Sequence, residues 1–317
     1  MPVRKLLAYA AIYVLWGGSF LAIRELVAPG DSHAPIPPLF AAGFRFTLAG
    51  TVLIVWSGVR RETDLNVRQW LGAAALGLVM FTCLYSALFW AETRIASGIA
   101  AVVSAMIPVW IFAGEVFVLR TQRANALSLG GIALGFGGVA LLALQGQGHG
   151  PAHSSTLAVL ATIGGTICWS AGTLWSRRLA LPRPQTLNSG WQMFIGGLVL
   201  LGVSSATGEM HRIPGMAVLL SGRVLASMAY LVIAASIITY TAYVWLIAHE
   251  SPTRVASYAY VNPVFALIIG AALAGERLTP IQIAGALLVV AGVFATLMGK
   301  GAVPKPTQQP IESALTR

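Results

Sequence analysis

Residues 95–119 read IASGIAAVVSAMIPVWIFAGEVFVL, a run of 25 residues in which Glu115 is the only ionisable side chain. A helix needs roughly 20 apolar residues to cross about 30 Å of hydrocarbon, so this run is long enough to span a lipid bilayer. Pro108 lies in its interior, where proline removes one helical hydrogen bond and bends the helix. The stretch therefore predicts a kinked membrane-spanning helix.

Comparable apolar runs follow one another along the whole chain. Hydrophobic residues make up 57% of the 317 residues and charged residues 9%, and the mean hydropathy is +0.78. Such a composition is far more apolar than that of a soluble domain. The sequence therefore predicts an all-α membrane protein with ten transmembrane helices. Besides 95–119, the predicted spans are Leu6–Ile23, Phe40–Val59, Trp70–Trp90, Ala124–Leu144, Leu157–Trp175, Leu187–Ala206, Val224–Ala248, Val255–Ala274 and Ile281–Met298.

The basic residues predict the orientation of these spans. The net charge of +10 resembles that of a nucleic-acid-binding protein, but the Lys and Arg residues lie in short loops between apolar runs rather than on one solvated face. With a cytoplasmic N-terminus, fourteen of the 20 basic residues fall inside, Arg45 lies within a span, and five fall outside, namely Arg24, Arg94, Arg212, Arg223 and Arg277. The positive-inside rule therefore places both termini in the cytoplasm of a multi-pass inner-membrane protein, with the lipid bilayer as its partner and no nucleic acid.

An internal repeat divides the chain into halves. Five residues recur at one offset of 155 positions, as Tyr85/Tyr240, Trp90/Trp245, Pro108/Pro263, Gly130/Gly285 and Gly137/Gly292. The sequence thus predicts a first five-helix repeat over 6–145 and a second over 156–299, followed by a Pro- and Gln-rich cytoplasmic tail at 300–317 that we expect to be disordered. Because five crossings are an odd number, the second repeat is inverted relative to the first, as in secondary transporters.

Four short motifs resemble those of the drug/metabolite transporter superfamily, and more narrowly its EamA-type bacterial exporters. They are Trp16-Gly17-Gly18-Ser19-Phe20, Cys168-Trp169-Ser170, Asn262-Pro263 and Gly275-Glu276-Arg277-Leu278. The resemblance implies a ten-helix fold, a central cavity between the halves, and export of amino acids or related metabolites across the bacterial inner membrane. One position departs from the family pattern, because Thr121 stands at the repeat position of Glu276 and Glu115 lies six residues earlier.

Aromatic residues are the first candidates for binding a small-molecule substrate. Trp16, Tyr85, Trp169 and Tyr240 lie on four different spans and form two repeat pairs, so a symmetric fold brings them toward a common axis. Aromatic walls with a polar tip suit amphipathic solutes. Helix packing or a place in the interfacial aromatic belt is the competing interpretation. Two further candidates precede a proline that frees a backbone carbonyl, namely Tyr258 and Asn262.

Arg45 is the candidate for recognising charge. A cation at bilayer depth costs roughly 2.5–3.5 kcal/mol on insertion scales, so it is expected to have a partner or a water-filled cavity. Its repeat mate is Gln192, which donates hydrogen bonds but carries no charge. A guanidinium binds a carboxylate through two parallel hydrogen bonds, and the sequence therefore suggests a carboxylate anchor. Snorkelling to the bilayer surface, or bonding to helix carbonyls, is the alternative.

Pro108 and Pro263 are repeat mates and are expected to bend two helices at matched points, which makes them candidate hinges. A static kink is the alternative. Close helix contact is the expected role of five glycines in the fifth span, namely Gly130, Gly131, Gly135, Gly137 and Gly138.

Enzymatic signatures are missing from the sequence. Gly299-Lys300 lacks the rest of a nucleotide-binding loop, His249-Glu250 has Thr253 where a zinc protease needs histidine, and no Gly-x-Ser-x-Gly motif occurs. Cys83 and Cys168 show no metal-site spacing. We therefore expect no cofactor, no metal and no enzyme, but a secondary exporter of small organic solutes working by alternating access. A multidrug or nucleotide-sugar type carrier is the alternative, and an intramembrane enzyme is disfavoured.

Overall fold

The structure is a computed structural model that describes residues 3–28, 35–144, 152–250, 255, 258–275, 279–299 and 301–302. Ten long helices occupy these ranges. They are α1 (Val3–Val27), α2 (Pro38–Val59), α3 (Val67–Glu92), α4 (Ser97–Val118), α5 (Ala126–Leu144), α6 (Ala152–Ser176), α7 (Gln185–Ala206), α8 (Gly222–His249), α9 (Tyr258–Ala274) and α10 (Pro280–Met298). A 3-10 turn (Glu209–Arg212) and a short helix (Met216–Leu219) connect α7 to α8.

The length and hydropathy of these helices support an all-helical membrane protein. Within the described residues, seven helices, α1–α4 and α6–α8, are long and apolar enough to cross a membrane. The apolar parts of α5, α9 and α10 are shorter, at 10–17 residues. Seven spans therefore follow from length and composition, and the complete set of ten crossings stays a prediction.

The second helices of the two repeats, α2 and α7, pack against each other in opposite directions. A Cβ atom built on Gly43 would lie 2.8 Å from the backbone nitrogen of Leu201, and one built on Gly50 would lie 2.5 Å from that of Phe194. Residues later in α2 thus contact residues earlier in α7, so the two helices are antiparallel. Glycine permits this approach because its lack of a side chain lets the two backbones meet.

The fifth helices, α5 and α10, repeat the arrangement. Gly131 faces Thr296, whereas Gly138 faces Gly285 and Val289, so this pair is also antiparallel. Two sets of repeat mates therefore cross a common axis in opposite directions, the relation expected of inverted repeats. The glycine interpretation holds for these positions but not for Gly130 and Gly137, beside which a Cβ atom would meet nothing within 4 Å.

The third helices carry matched irregularities. A π-helical segment occupies Gly77–Thr82 in α3 and another occupies Tyr230–Ile238 in α8, at positions related by the 155-residue offset. A π segment widens a helix and frees backbone carbonyls, and such segments are frequent at functional sites. Each of these two ends a few residues before a predicted site tyrosine, Tyr85 or Tyr240.

The two candidate hinges differ in the structure. The α-helical hydrogen bonding of α4 is interrupted at Ala105–Met106, just before Pro108. In α9 the helix continues through Pro263. Pro108 thus directly follows a break in its helix, whereas Pro263 lies inside an α-helix that is described on both sides of it.

Contacts between helix ends define two faces of the bundle. At the basic end, Lys5 pairs with Glu250 at 2.5 Å, and β1 (Gln122–Arg123) pairs antiparallel with β2 (Gly301–Ala302). At the far end, Arg223 pairs with Glu25 at 3.1 Å. Two residues of the expected disordered tail, 301–302, are therefore paired in a ribbon, while 303–317 lie outside the described residues, as do 276–278 of the fourth motif.

Candidate functional site

Six aromatic side chains form a buried layer at the middle of the bundle, between the two repeats. Trp169 lies at its centre, with ring centroids 6.2 Å from Trp16, 6.1 Å from Tyr85 and Tyr240, and 6.0 Å from Tyr243. Tyr258 completes the aromatic layer, 5.3 Å from Trp16. Every member is at most 9% exposed.

Helix irregularities hold this layer in place. The indole N–H of Trp16 donates to the carbonyl of Ala235 at 3.0 Å, inside the π segment of α8. With its amide nitrogen turned toward α1, Asn262 donates to the carbonyls of Tyr13 at 2.9 Å and Ile12 at 3.1 Å, which lie in a further π segment, Ala11–Leu15. Carbonyls released by irregular helix turns thus accept bonds from side chains of the opposite repeat.

A hydrogen-bonded chain leads from the aromatic layer toward the basic end along α7. The Tyr240 hydroxyl donates to Gln192 Oε1 at 2.6 Å, and Gln192 Nε2 donates to Asn188 Oδ1 at 2.7 Å. Beside it, the Thr173 hydroxyl and the Tyr243 hydroxyl lie 3.3 Å apart. Buried polar side chains are costly unless paired, so this chain fixes the rotamers of its members.

Arg45 is buried in the same region, with 1% of its surface exposed. Its Nε donates to the Ser236 hydroxyl at 2.8 Å, which joins α2 to α8. Its guanidinium lies 4.6 Å from the ring centroid of Phe46 and 5.3 Å from that of Tyr85. Among the described residues, Arg45 Nη1 has no hydrogen-bond partner.

Two cavities lie on either side of the aromatic layer. The vestibule, of about 400 Å³, runs from Arg177 and Arg183 at the basic end to Gln192, Tyr240 and Tyr243. The central cavity, of about 60 Å³, lies on the other side of Trp169. A volume of 300–1,000 Å³ is usual for a small-molecule site, whereas the central cavity has room for only a few water molecules. Of these two cavities, only the vestibule is large enough for an organic solute in this conformation. The central cavity is lined by Trp16, Tyr85, Trp169, Tyr258, Asn262 and Pro263, among others.

The predicted site residues fall into two groups. Five of them, Trp16, Tyr85, Trp169, Tyr240 and Tyr258, are brought together in the aromatic layer, and Asn262 lines the central cavity beside them. Arg45 lines neither cavity, although Tyr85, whose ring centroid lies 5.3 Å from its guanidinium, lines the central cavity.

Two important residues were missed by the sequence analysis. Tyr243 lies three positions after Tyr240, so the helical period already places it on the same face. Ser236 gives no such signal, because a single serine in an apolar span is common in helix packing.

Comparison with known proteins supports the architecture. The sequence matches the EamA-like transporter family over residues 4–144 and 156–298. The chain is 32% identical to the uncharacterized inner membrane transporter YedA of Escherichia coli K12, over 98% of both chains. It is 27% identical to a Salmonella typhimurium protein named "probable amino-acid metabolite efflux pump", over 91% of this chain and 93% of that protein.

A solved crystal structure with 20% identity superposes on the fold with a TM-score of 0.63, covering 94% of this chain and 97% of the other. The two family matches coincide with the two helical repeats that meet at the aromatic layer. The chain therefore belongs to the EamA-like transporter family, within the drug/metabolite transporter superfamily.

Proposed function

We propose that the protein is a secondary transporter that exports small organic solutes, such as amino acids or related metabolites, across the bacterial inner membrane. The observation that carries the proposal is the pair of cavities separated by the aromatic layer, at the place where the two repeats meet. A transporter with its site at a repeat interface works by moving one repeat against the other. The basic end is the cytoplasmic end in this proposal, and all ten helices cross the membrane.

The sizes of the cavities support alternating access. An organic solute fits the vestibule, which opens at the basic end, but not the central cavity. Export requires the aromatic layer to part and the central cavity to enlarge while the vestibule narrows. In the described structure, the Glu25–Arg223 ion pair joins the repeats at the far end and must separate in the opposite conformation.

Reconstitution into liposomes tests the function directly. Liposomes that contain the purified protein are loaded with a panel of labelled amino acids, amphipathic drugs and nucleotide sugars. Efflux is measured with and without a proton gradient. Efflux of one class above that of protein-free liposomes supports the transporter and chooses between the metabolite exporter and the multidrug or nucleotide-sugar alternatives. Absence of efflux for every class contradicts the proposal.

A reversible cross-link at the far end is expected to stop transport. In a background lacking Cys83 and Cys168, cysteines replace Glu25 and Arg223, and a disulfide-forming bifunctional reagent joins them. Transport is expected to fall to the protein-free level and to return after reduction. The matched control places cysteines at Arg60 and Glu62, an exposed ion pair within one loop, where cross-linking leaves transport unchanged. Full transport with the far end joined would exclude its opening.

The two repeat-related prolines are proposed as hinges of this motion. Replacing Pro108 and Pro263 together by alanine restores two helical N–H donors and stiffens α4 and α9. We expect insertion and substrate binding to persist while the transport rate falls severalfold, with the larger share from Pro108, where the helix is interrupted. Single-turnover efflux measures the rate, and unchanged efflux in the double variant would remove the hinge role.

A further inference from the structure

We propose that the transported solute is an organic anion, a carboxylate on an apolar or aromatic body without a positively charged group. This inference rests on the transport function proposed above and narrows its substrate class from amino acids and related metabolites to organic acids that lack the ammonium group. It is carried by the distribution of charge along the vestibule, the aromatic layer and the buried Arg45.

The mouth of the vestibule is positively charged. Arg177 follows the end of α6, and Arg183 precedes the start of α7. None of the described residues that line the vestibule or the central cavity is an aspartate or a glutamate. A concave wall with cations and no anions concentrates anionic solutes and disfavours cationic ones.

The two walls of the vestibule differ in polarity. Gln185, Asn188 and Gln192 are spaced by three and four residues, so they share the face of α7 that lines the cavity. The opposite wall includes Met80 and Ile247. Amides donate hydrogen bonds to a carboxylate without carrying charge themselves. The apolar wall shields the hydrocarbon part of the solute from water. The walls therefore suit an amphipathic acid.

A third guanidinium lies beyond the aromatic layer. Arg45 is enclosed, with Nη1 left without a hydrogen bond among the described residues. Tyr85 lies 5.3 Å from this guanidinium and also lines the central cavity, so a single side chain links Arg45 to that space. In this proposal, Tyr85 moves aside when the central cavity enlarges and exposes Arg45 to the solute. A carboxylate entering there completes the unsatisfied bonding of a buried cation, and such charge-assisted bonds are the strong ones.

An ammonium group has no comparable place. It needs a carboxylate or the open face of an aromatic ring. The described cavity linings offer no carboxylate, and the buried carboxylate of Glu92 already interacts electrostatically with Arg45. The rings of the aromatic layer pack against one another, with centroids 5.2–6.3 Å apart, so their faces are largely covered in this conformation. Repulsion from three arginines adds to the cost of bringing an ammonium to this site. The geometry therefore favours a net anion over a zwitterion or a cation.

Three probes that share a phenylethyl body test the substrate class. The probes are 3-phenylpropanoate, phenylalanine and phenethylamine, which carry net charges of about −1, 0 and +1 at neutral pH. Their binding to the purified protein is measured by calorimetry, and their protein-dependent efflux from liposomes is measured in parallel. We expect 3-phenylpropanoate to bind at least about tenfold more tightly than the other two. This preference corresponds to roughly 1.4 kcal/mol.

Charge variants test whether the vestibule arginines cause the preference for the anionic probe. Replacing Arg177 and Arg183 by glutamine is expected to weaken 3-phenylpropanoate binding by about five- to tenfold, the size of two partly exposed charge contacts. Arg178→Gln is the control, because it removes a charge from the same loop but does not line the vestibule. Gln192→Glu is expected to weaken anion binding further.

The outcomes separate the substrate class from the function. Equal or tighter binding of phenylalanine or phenethylamine overturns the anion proposal, as does failure of 3-phenylpropanoate to bind, or equal loss in Arg178→Gln. If the wider panel of solutes still shows efflux in any of those cases, the transporter stands and only its substrate class is wrong. If no solute of the panel is transported, the proposed function fails as well.

Discussion

Replacing Arg45 by methionine is expected to abolish transport of 3-phenylpropanoate while leaving the protein at least as stable as the wild type. The substitution removes a cation whose presence at bilayer depth costs roughly 2.5–3.5 kcal/mol, and methionine fills much of the same space. The lost stacking on Phe46 and Tyr85 and the lost bond to Ser236 offset part of that gain. The lost electrostatic interaction with the buried carboxylate of Glu92 offsets a further part. Thermal unfolding in detergent and efflux from liposomes measure the two effects separately.

Two further variants of Arg45 separate substrate recognition from a structural role. Arg45→Lys keeps the charge but loses the planar fork, so we expect normal expression with weaker binding of carboxylate-bearing solutes. Arg45→Gln keeps a hydrogen-bond donor without charge. Equal transport of 3-phenylpropanoate by wild type and Arg45→Gln would rule out the anchor. Snorkelling does not describe this conformation, because the side chain is enclosed between α2 and α8.

Gly138→Ala is expected to destabilise the protein severely, whereas Gly137→Ala is not. A Cβ atom at Gly138 would lie 2.6 Å from the carbonyl oxygen of Gly285 and 2.8 Å from the nitrogen of Val289. Both are backbone atoms, so no rotamer change relieves the clash and α5 must move away from α10. Overpacking of this kind typically costs 1–3 kcal/mol and occasionally more.

The neighbouring Gly137 supplies a closely matched control. It lies on the same helix turn, receives the same chemical change, and has nothing within 4 Å of the added atom. There the higher helix propensity of alanine stabilises the protein by up to about 1 kcal/mol. Unfolding titrations of both variants in mixed micelles give the comparison. Equal stability of the two variants would contradict the close α5–α10 contact.

The hydropathy of the sequence predicted the positions of the helices, and its internal repeat predicted that the aromatic residues meet. A 155-residue offset relates residues across the repeat axis, so pairs such as Tyr85 and Tyr240 had to be found at equivalent depths. Hydropathy locates a span along the chain but does not indicate which face of the helix is turned inward. For this reason Gly130 and Gly137 are assigned from the sequence to a helix contact that the structure gives to Gly131 and Gly138.

Side-chain contacts within the site were much harder to predict. The partner of Arg45 is Ser236, a small polar residue on another span, and nothing in the local sequence distinguishes it from a packing serine. Arg45 lines neither cavity even though its neighbour Tyr85 lines the central one, and no sequence pattern indicates this difference. The π segments that supply carbonyls to Trp16 and Asn262 arise from the way the helices pack, and no residue pattern in those segments marks them.

The pairing of α5 with α10 also constrains how the protein is made. The glycine face of α5 is synthesised roughly 150 residues before the part of α10 that covers it. At a ribosomal rate of about 5–20 residues per second, that face remains uncovered by α10 for roughly 10–30 seconds. The ribbon between Gln122–Arg123 and Gly301–Ala302 closes later still. A chain that stops before α10 therefore leaves the close-packing glycine face of an early helix without its partner.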